Sequence, residues 1–76
     1  MIMSDFTPGV YKDINGKLYK LIALGRLDGT CDEYVIYQEV YGNREFFVRP
    51  KDSWNEEIEN TETGKKVKRF VYVRQD

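Results

Sequence analysis

The stretch from Tyr34 to Pro50 limits the possible folds of this 76-residue sequence more than any other. It reads Tyr-Val-Ile-Tyr-Gln-Glu-Val-Tyr, then Gly42-Asn43-Arg44, then Glu-Phe-Phe-Val-Arg-Pro. Two runs rich in β-branched and aromatic residues flank a segment in which Gly42 and Asn43 tolerate positive φ. That combination predicts a β-hairpin with a loop of about three residues. Ile36 and Val40 then fall on one face, with Val35, Tyr37 and Tyr41 on the other. In the second strand Phe46 and Val48 share a face, opposite Phe47 and Arg49. Alternation alone leaves open which face is core. Pro50 lacks a backbone donor and closes the strand.

Further strands extend this hairpin on both sides. Residues Met1 to Phe6 read as a loose end, with Phe6 as a candidate anchor. One domain then runs over residues 7–74. Thr7-Pro8-Gly9 is turn punctuation, Val10 to Ile14 is extended, and Asn15-Gly16 is the strongest two-residue hairpin signal in the chain. Lys17 to Arg26 reads as a long central strand whose faces are both apolar, carrying Leu18, Tyr19, Leu21, Ile22 and Leu24. Asp28-Gly29 opens a polar turn. After Pro50, Lys51 to Trp54 is too short for a stable helix and suits one 3₁₀ turn, with Trp54 turned inward to plug one end of the fold. Glu57 to Glu59 is a short strand, Asn60 to Gly64 a hairpin loop, and Lys66 to Val73 the last strand. No window shows a helical period free of turn signals. The prediction is an all-β meander of five to six antiparallel strands with one 3₁₀ turn, closed into a small barrel that hides its edges.

Charge and cysteine content narrow the functions available. Twelve basic and thirteen acidic residues leave a net charge of -1, which speaks against bulk capture of nucleic acid or anionic membrane. The charges are nevertheless segregated. Asp52, Glu56, Glu57, Glu59 and Glu62 are followed by Lys65, Lys66, Lys68, Arg69 and Arg74. Two adjacent strands paired through cross-strand charge explain this pattern, and a bipolar binding face is the sharper reading. Cys31 is alone, so no internal disulfide forms and a reducing cytoplasm is the expected setting. There is no apolar run of membrane-spanning length and no secretory leader pattern.

The sequence carries little chemistry. It lacks His, which removes Ser-His and Cys-His nucleophile pairs and His-based metal sites. The glycines are scattered over separate turns, so no phosphate-cradling loop is present. Glu56 and Glu57 are adjacent and point to opposite faces of a strand. Asp28, Asp32 and Glu33 share a loop without EF-hand spacing. No catalytic residue, metal site or cofactor is expected.

What remains is a binding surface. Arg49 and Arg69 each sit beside aromatics, in Phe-Val-Arg-Pro and Arg-Phe-Val-Tyr. In the structural reading their stems cover aromatic rings and their heads pair with Glu39, Glu45 or Glu57. In the functional reading Arg49 and Arg69, with Tyr37, Tyr41 and Phe47, line a groove for an anion, a peptide or single-stranded nucleic acid. Trp54 joins that set if it is exposed.

The motifs Pro8-Gly9-x-Tyr11, Asn15-Gly16-x-Leu18-Tyr19, Val35-x-Tyr37, Tyr41-Gly42, Phe47-Val48-Arg49-Pro50 and Val67-x-Arg69-Phe70 together resemble the domain-of-unknown-function family 1653 of small bacterial proteins. The resemblance covers residues 7 to 73. It implies an SH3-like barrel and no assigned activity. Two positions depart from the family pattern: Asp13 stands where His is common, and Phe47 where Trp is common. The expected function is a small binding or adaptor module for a protein or peptide. Nucleic-acid binding through the basic C-terminal strand is the alternative, and an enzyme or small-ligand protein the least favoured. Nothing in the sequence fixes an oligomeric state.

Overall fold

The computed structural model describes residues 6–75. Of the expected loose end at residues 1–6, residues 1–5 lie outside that range. The described residues hold seven strands and one helical turn: β1 (Gly9–Asp13), β2 (Leu18–Arg26), β3 (Glu33–Glu39), β4 (Phe46–Pro50), α1 (Lys51–Trp54), β5 (Glu57–Glu59), β6 (Lys66–Lys68) and β7 (Phe70–Arg74). They form a five-stranded antiparallel sheet in the order β4-β3-β2-β1-β7 and a separate two-stranded sheet, β5-β6. The all-β class is as expected, but only β1 to β4 follow the expected meander: β5 and β6 leave it for a second sheet and β7 returns to pair with β1. The strands do not close into a barrel, because β4 and β7 are left as two ends of the larger sheet. The sheet nonetheless curls. The Arg49 guanidinium carbon on β4 lies 5.5 Å from the centroid of Phe70 on β7.

The extra strand arises from a break at Arg69 inside the predicted Lys66–Val73 run. Before the break, β6 pairs with β5, and after it β7 pairs with β1. Arg69 makes the change of partner: its N–H donates to the Glu56 carbonyl at 2.9 Å and its Nη2 reaches Glu56 Oε1 at 3.3 Å. A single straight strand cannot serve two sheets, so the backbone bends where its partner changes.

Two turns differ from their expected form. The β1–β2 connection is longer than a two-residue Asn15-Gly16 turn. Asp13 Oδ1 accepts the N–H groups of both Asn15 and Lys17 at 2.9 Å, and the Asp13 N–H bonds to the Lys17 carbonyl at 2.9 Å. A side-chain acceptor thus does part of what a tighter turn would do with backbone alone. The β3–β4 loop takes in Val40 to Glu45, with positive φ at Gly42 and Arg44 rather than at Gly42 and Asn43. It is longer than three residues because Gln38 Nε2 donates to the Arg44 carbonyl and Glu39 Oε1 accepts the Glu45 N–H. These bonds hold a wider loop closed.

Lys51 to Trp54 forms a single α turn, not a 3₁₀ turn. No side chain caps it. Tertiary contacts fix its ends instead, Ser53 to Arg49 and Trp54 to the core, and these override the local preference for the tighter turn.

Tyr11, Leu21, Val35, Tyr37, Trp54 and Phe70 form the core, and Phe6 and Tyr19 pack against it. The choice left open by alternation is thereby settled. Val35 and Tyr37 face inward, and Ile36 lies on the outer face opposite Val48. Register pairs Leu21 with Tyr37 and Tyr37 with Phe47, so the inward side of β2, β3 and β4 is lined with rings. A bulge between Leu21 and Ala23 re-aims the rest of β2. The result is a thin core made mainly of edge-to-face aromatic contacts, a sound solution for so short a chain.

Candidate functional site

The six residues singled out from sequence do not form one accessible groove. Trp54 is only 1% exposed and Tyr37 is buried beside it, with their ring centroids 5.1 Å apart. Both rings belong to the core, because a chain with so few large side chains cannot leave either at the surface. Phe47 and Tyr41 stay partly exposed at one rim, packed around Tyr19 at 6.4 and 6.2 Å between centroids. The Tyr19 phenol is held above the ordinary tyrosine range, chiefly by its hydrogen bond to Tyr41 and further by burial.

The two arginines sit apart, each with its own partner. Arg49 extends over Phe70, and its Nη1 donates to Ser53 Oγ at 2.8 Å. Arg69 pairs with Glu56. Neither uses Glu39, Glu45 or Glu57, the carboxylates expected from sequence. Glu39 and Glu45 sit towards the loop end of the β3–β4 hairpin and Glu57 in the other sheet, whereas Ser53 lies within α1 and Glu56 just after it. In both arginines Nε is buried without a hydrogen-bond partner. Such a group is costly unless the rest of the guanidinium is well held, so these two side chains mainly fasten β4 and β7 to the α1 segment.

The charge segregation resolves in the same structural direction. Glu57 faces Lys68 and Glu59 faces Lys66 across the β5–β6 ladder. Oppositely charged neighbours at these spacings stabilise a short hairpin by a few tenths of a kcal/mol to about 1 kcal/mol per pair. In the Asp28–Glu33 loop, Glu33 pairs with Lys51 at 3.2 Å. Among the described residues no group of three His, Cys, Asp or Glu side chains is placed to hold a metal ion. No helix among them is long and apolar enough to cross a membrane.

The surface that stands out was not in the predicted set. Phe46 and Val48 are 63% and 66% exposed on β4, an end strand of the larger sheet. The Glu39 N–H bonds to the Glu45 carbonyl, which makes those two a hydrogen-bonded pair. By alternation Tyr37/Phe47 and Val35/Arg49 are also bonded pairs, so the N–H and C=O groups of Phe46 and Val48 point away from β3. Beside them, Gly25, Leu27, Tyr34, Ile36 and Val48, with Arg26, line a hollow of about 220 Å³. Gly25 shapes it: a Cβ there would lie 3.1 Å from Ile36 Cδ1. A glycine inside the long β2 run was the available signal, since glycine in a strand interior often marks a close approach. The edge position of β4 had no local signal, because strand order is a property of the whole sheet.

A curled antiparallel sheet around an aromatic cluster, with arginines used as fasteners and apolar side chains on a free edge, defines a small all-β domain. The family model "Protein of unknown function (DUF1653)" matches residues 9–72, and the chain belongs to that family. Among solved structures, the crystal structure of a family member from Bordetella bronchiseptica superposes with a TM-score of 0.81 at 31% identity, covering 99% of this chain and 96% of that one. No curated protein matches the sequence. The sequence motifs that suggested the family are distributed over the turns and core positions just described. Asp13, at the position where the family resemblance leads one to expect His, is the acceptor that shapes the β1–β2 turn.

Proposed function

We propose that this protein is a small, non-enzymatic binding module built on an open SH3-like barrel, acting in the cytoplasm, and that it recognises a protein or peptide along the free edge of β4. One observation carries the reading: two large apolar side chains, Phe46 and Val48, are mostly exposed on an edge whose backbone groups are unpaired within the sheet. Edge strands usually carry charge or are covered, because an open apolar edge invites pairing. An incoming extended segment gains backbone hydrogen bonds from that edge, and the hollow beside Ile36 gives it a place for a side chain. The nucleic-acid alternative finds less support, since Lys66 and Lys68 already face Glu59 and Glu57.

Site-specific photocrosslinking in the native host tests this. A photoreactive residue at Phe46 is expected to yield a discrete protein adduct, and the same residue at Val71, which is exposed on the other end strand, is not. Absence of any adduct from Phe46, or equal adducts from both sites, overturns the assignment.

A further inference from the structure

We infer that the partner of the β4 edge is a second copy of this chain, bound antiparallel through β4 itself about a two-fold axis at Phe47. The inference rests on the reading of β4 as a recognition edge and names its occupant.

The register follows from which groups are free. Only Phe46 and Val48 direct both N–H and C=O outward within β4, because Pro50 has no N–H and the odd positions bond to β3. Antiparallel self-pairing uses all of these groups in one arrangement, with Phe46 of one copy opposite Val48 of the other and the reverse. Each such pair exchanges two N–H···O=C bonds, so the edge is fully used by its own duplicate. A register shifted to centre on Phe46 or Val48 leaves part of it unbonded.

Side chains agree with that register on both faces. On the outer face each Phe46 meets the other copy's Val48, which brings together the most exposed apolar groups of the strand. On the inner face Phe47 meets its own copy across the axis. One step further out, Glu45 lies opposite Arg49. The Glu45 carboxylate has no partner among the described residues, and Arg49 meets no carboxylate there, only Ser53 and the Phe70 ring. The self-pairing therefore supplies two complementary charge pairs that the single chain lacks. Because both partners of every contact come from one strand, the interface is self-complementary and closes at two copies. The joined sheets form one continuous sheet of twice five strands.

The edge is short, so the dimer is a concentration-dependent one. Sedimentation equilibrium from about 1 µM to about 1 mM is expected to show a shift from the 9.0 kDa monomer towards twice that mass. Val48→Lys is expected to abolish the shift, and Glu45→Arg to weaken association by about tenfold, since it replaces two attractive pairs with repulsive ones. Both changes are at exposed side chains and keep the monomer's circular dichroism spectrum.

Register is tested separately in a Cys31→Ser background. A mixture of Phe46→Cys and Val48→Cys chains is expected to give a mixed disulfide on mild oxidation well above either chain alone, because bonded antiparallel pairs hold Cα atoms about 5.5 Å apart. A wild-type chain that stays monomeric over the whole range, or mixed crosslinks no stronger than self-crosslinks, overturns the dimer. If the dimer fails while the Phe46 photoadduct contains a different protein, the recognition edge stands and only its occupant is reassigned. If both fail, the edge reading falls with it.

Discussion

Trp54 and Phe70 lie face to face, with ring centroids 3.9 Å apart and planes inclined by 6°. The stack joins the helical turn after β4 to the first residue of β7, at the far end of the sheet. Tyr11 and Tyr37 meet the Trp54 ring edge-on at 5.2 and 5.1 Å. One indole thus touches three strands.

Trp54→Ala is expected to cost about 3–5 kcal/mol, the range for emptying a large aromatic site. In a domain of this size that removes much or all of the stability. Urea unfolding followed by far-UV circular dichroism measures it. Melting like the parent would mean that the indole does not carry the core.

Arg49 and Ser53 form a fastening between β4 and α1 that a double-mutant cycle isolates. Ser53→Ala is expected to cost about 1 kcal/mol and Arg49→Ala about 1–3 kcal/mol, the latter including the contact with Phe70. Their effects should fall short of additive by about 0.5–1 kcal/mol. Full additivity in denaturant titrations would show that the hydrogen bond adds nothing.

Gly9 is required by its surroundings. Its φ is +152°, and a Cβ there would lie 2.7 Å from Tyr72 Cε1 and 2.8 Å from the Arg74 carbonyl oxygen. The tyrosine ring can turn, but the carbonyl belongs to the neighbouring strand, so Gly9→Ala must push β1 from β7. A loss of about 1–3 kcal/mol is expected. Gly29→Ala is a useful comparison, since its Cβ meets no atom within 4 Å and only the φ of +83° opposes it.

The Tyr19–Tyr41 hydrogen bond predicts an alkaline limit to stability. Tyr19 is a neutral acid whose proton is held more tightly in the folded state than in the unfolded chain. Once the pH passes the ordinary tyrosine value of about 10, the unfolded state releases that proton first, and stability falls as pH rises further. Below that value the contribution is fully present. Tyr41→Phe removes the largest cause and is expected to flatten this slope and to let Tyr19 ionise at lower pH in the folded protein. Melting temperatures and phenolate absorbance across an alkaline series check both.

How far the fold could be read from residues depended on whether the cause was local. Turn residues, alternation and the strand-ending Pro50 act over a few positions, and the meander of β1 to β4, the central β2 and the inward Trp54 followed from them. The family motifs did too. The break at Arg69 did not, because it depends on Glu56 thirteen residues earlier rather than on any breaker in the run itself. The inward face of β3 was undecided since both of its faces are apolar, and it was fixed only by what packs beneath it. The exposed edge at Phe46 and Val48 was missed for the same reason. Read alone, Phe-Phe-Val looks like core, and only the order of strands makes half of it surface.

The place of β7 beside β1 has a consequence for how the chain folds. The β1–β2, β2–β3 and β3–β4 pairings each close over short connections, but Val10 pairs with Arg74, across most of the chain. Loop-closure entropy makes that last pairing the slow one. Phe70 arrives only with it, so until β7 docks the indole has no stacking partner and the four earlier strands surround an unfinished centre. Partly built forms therefore gain little, and the chain folds all at once or not at all.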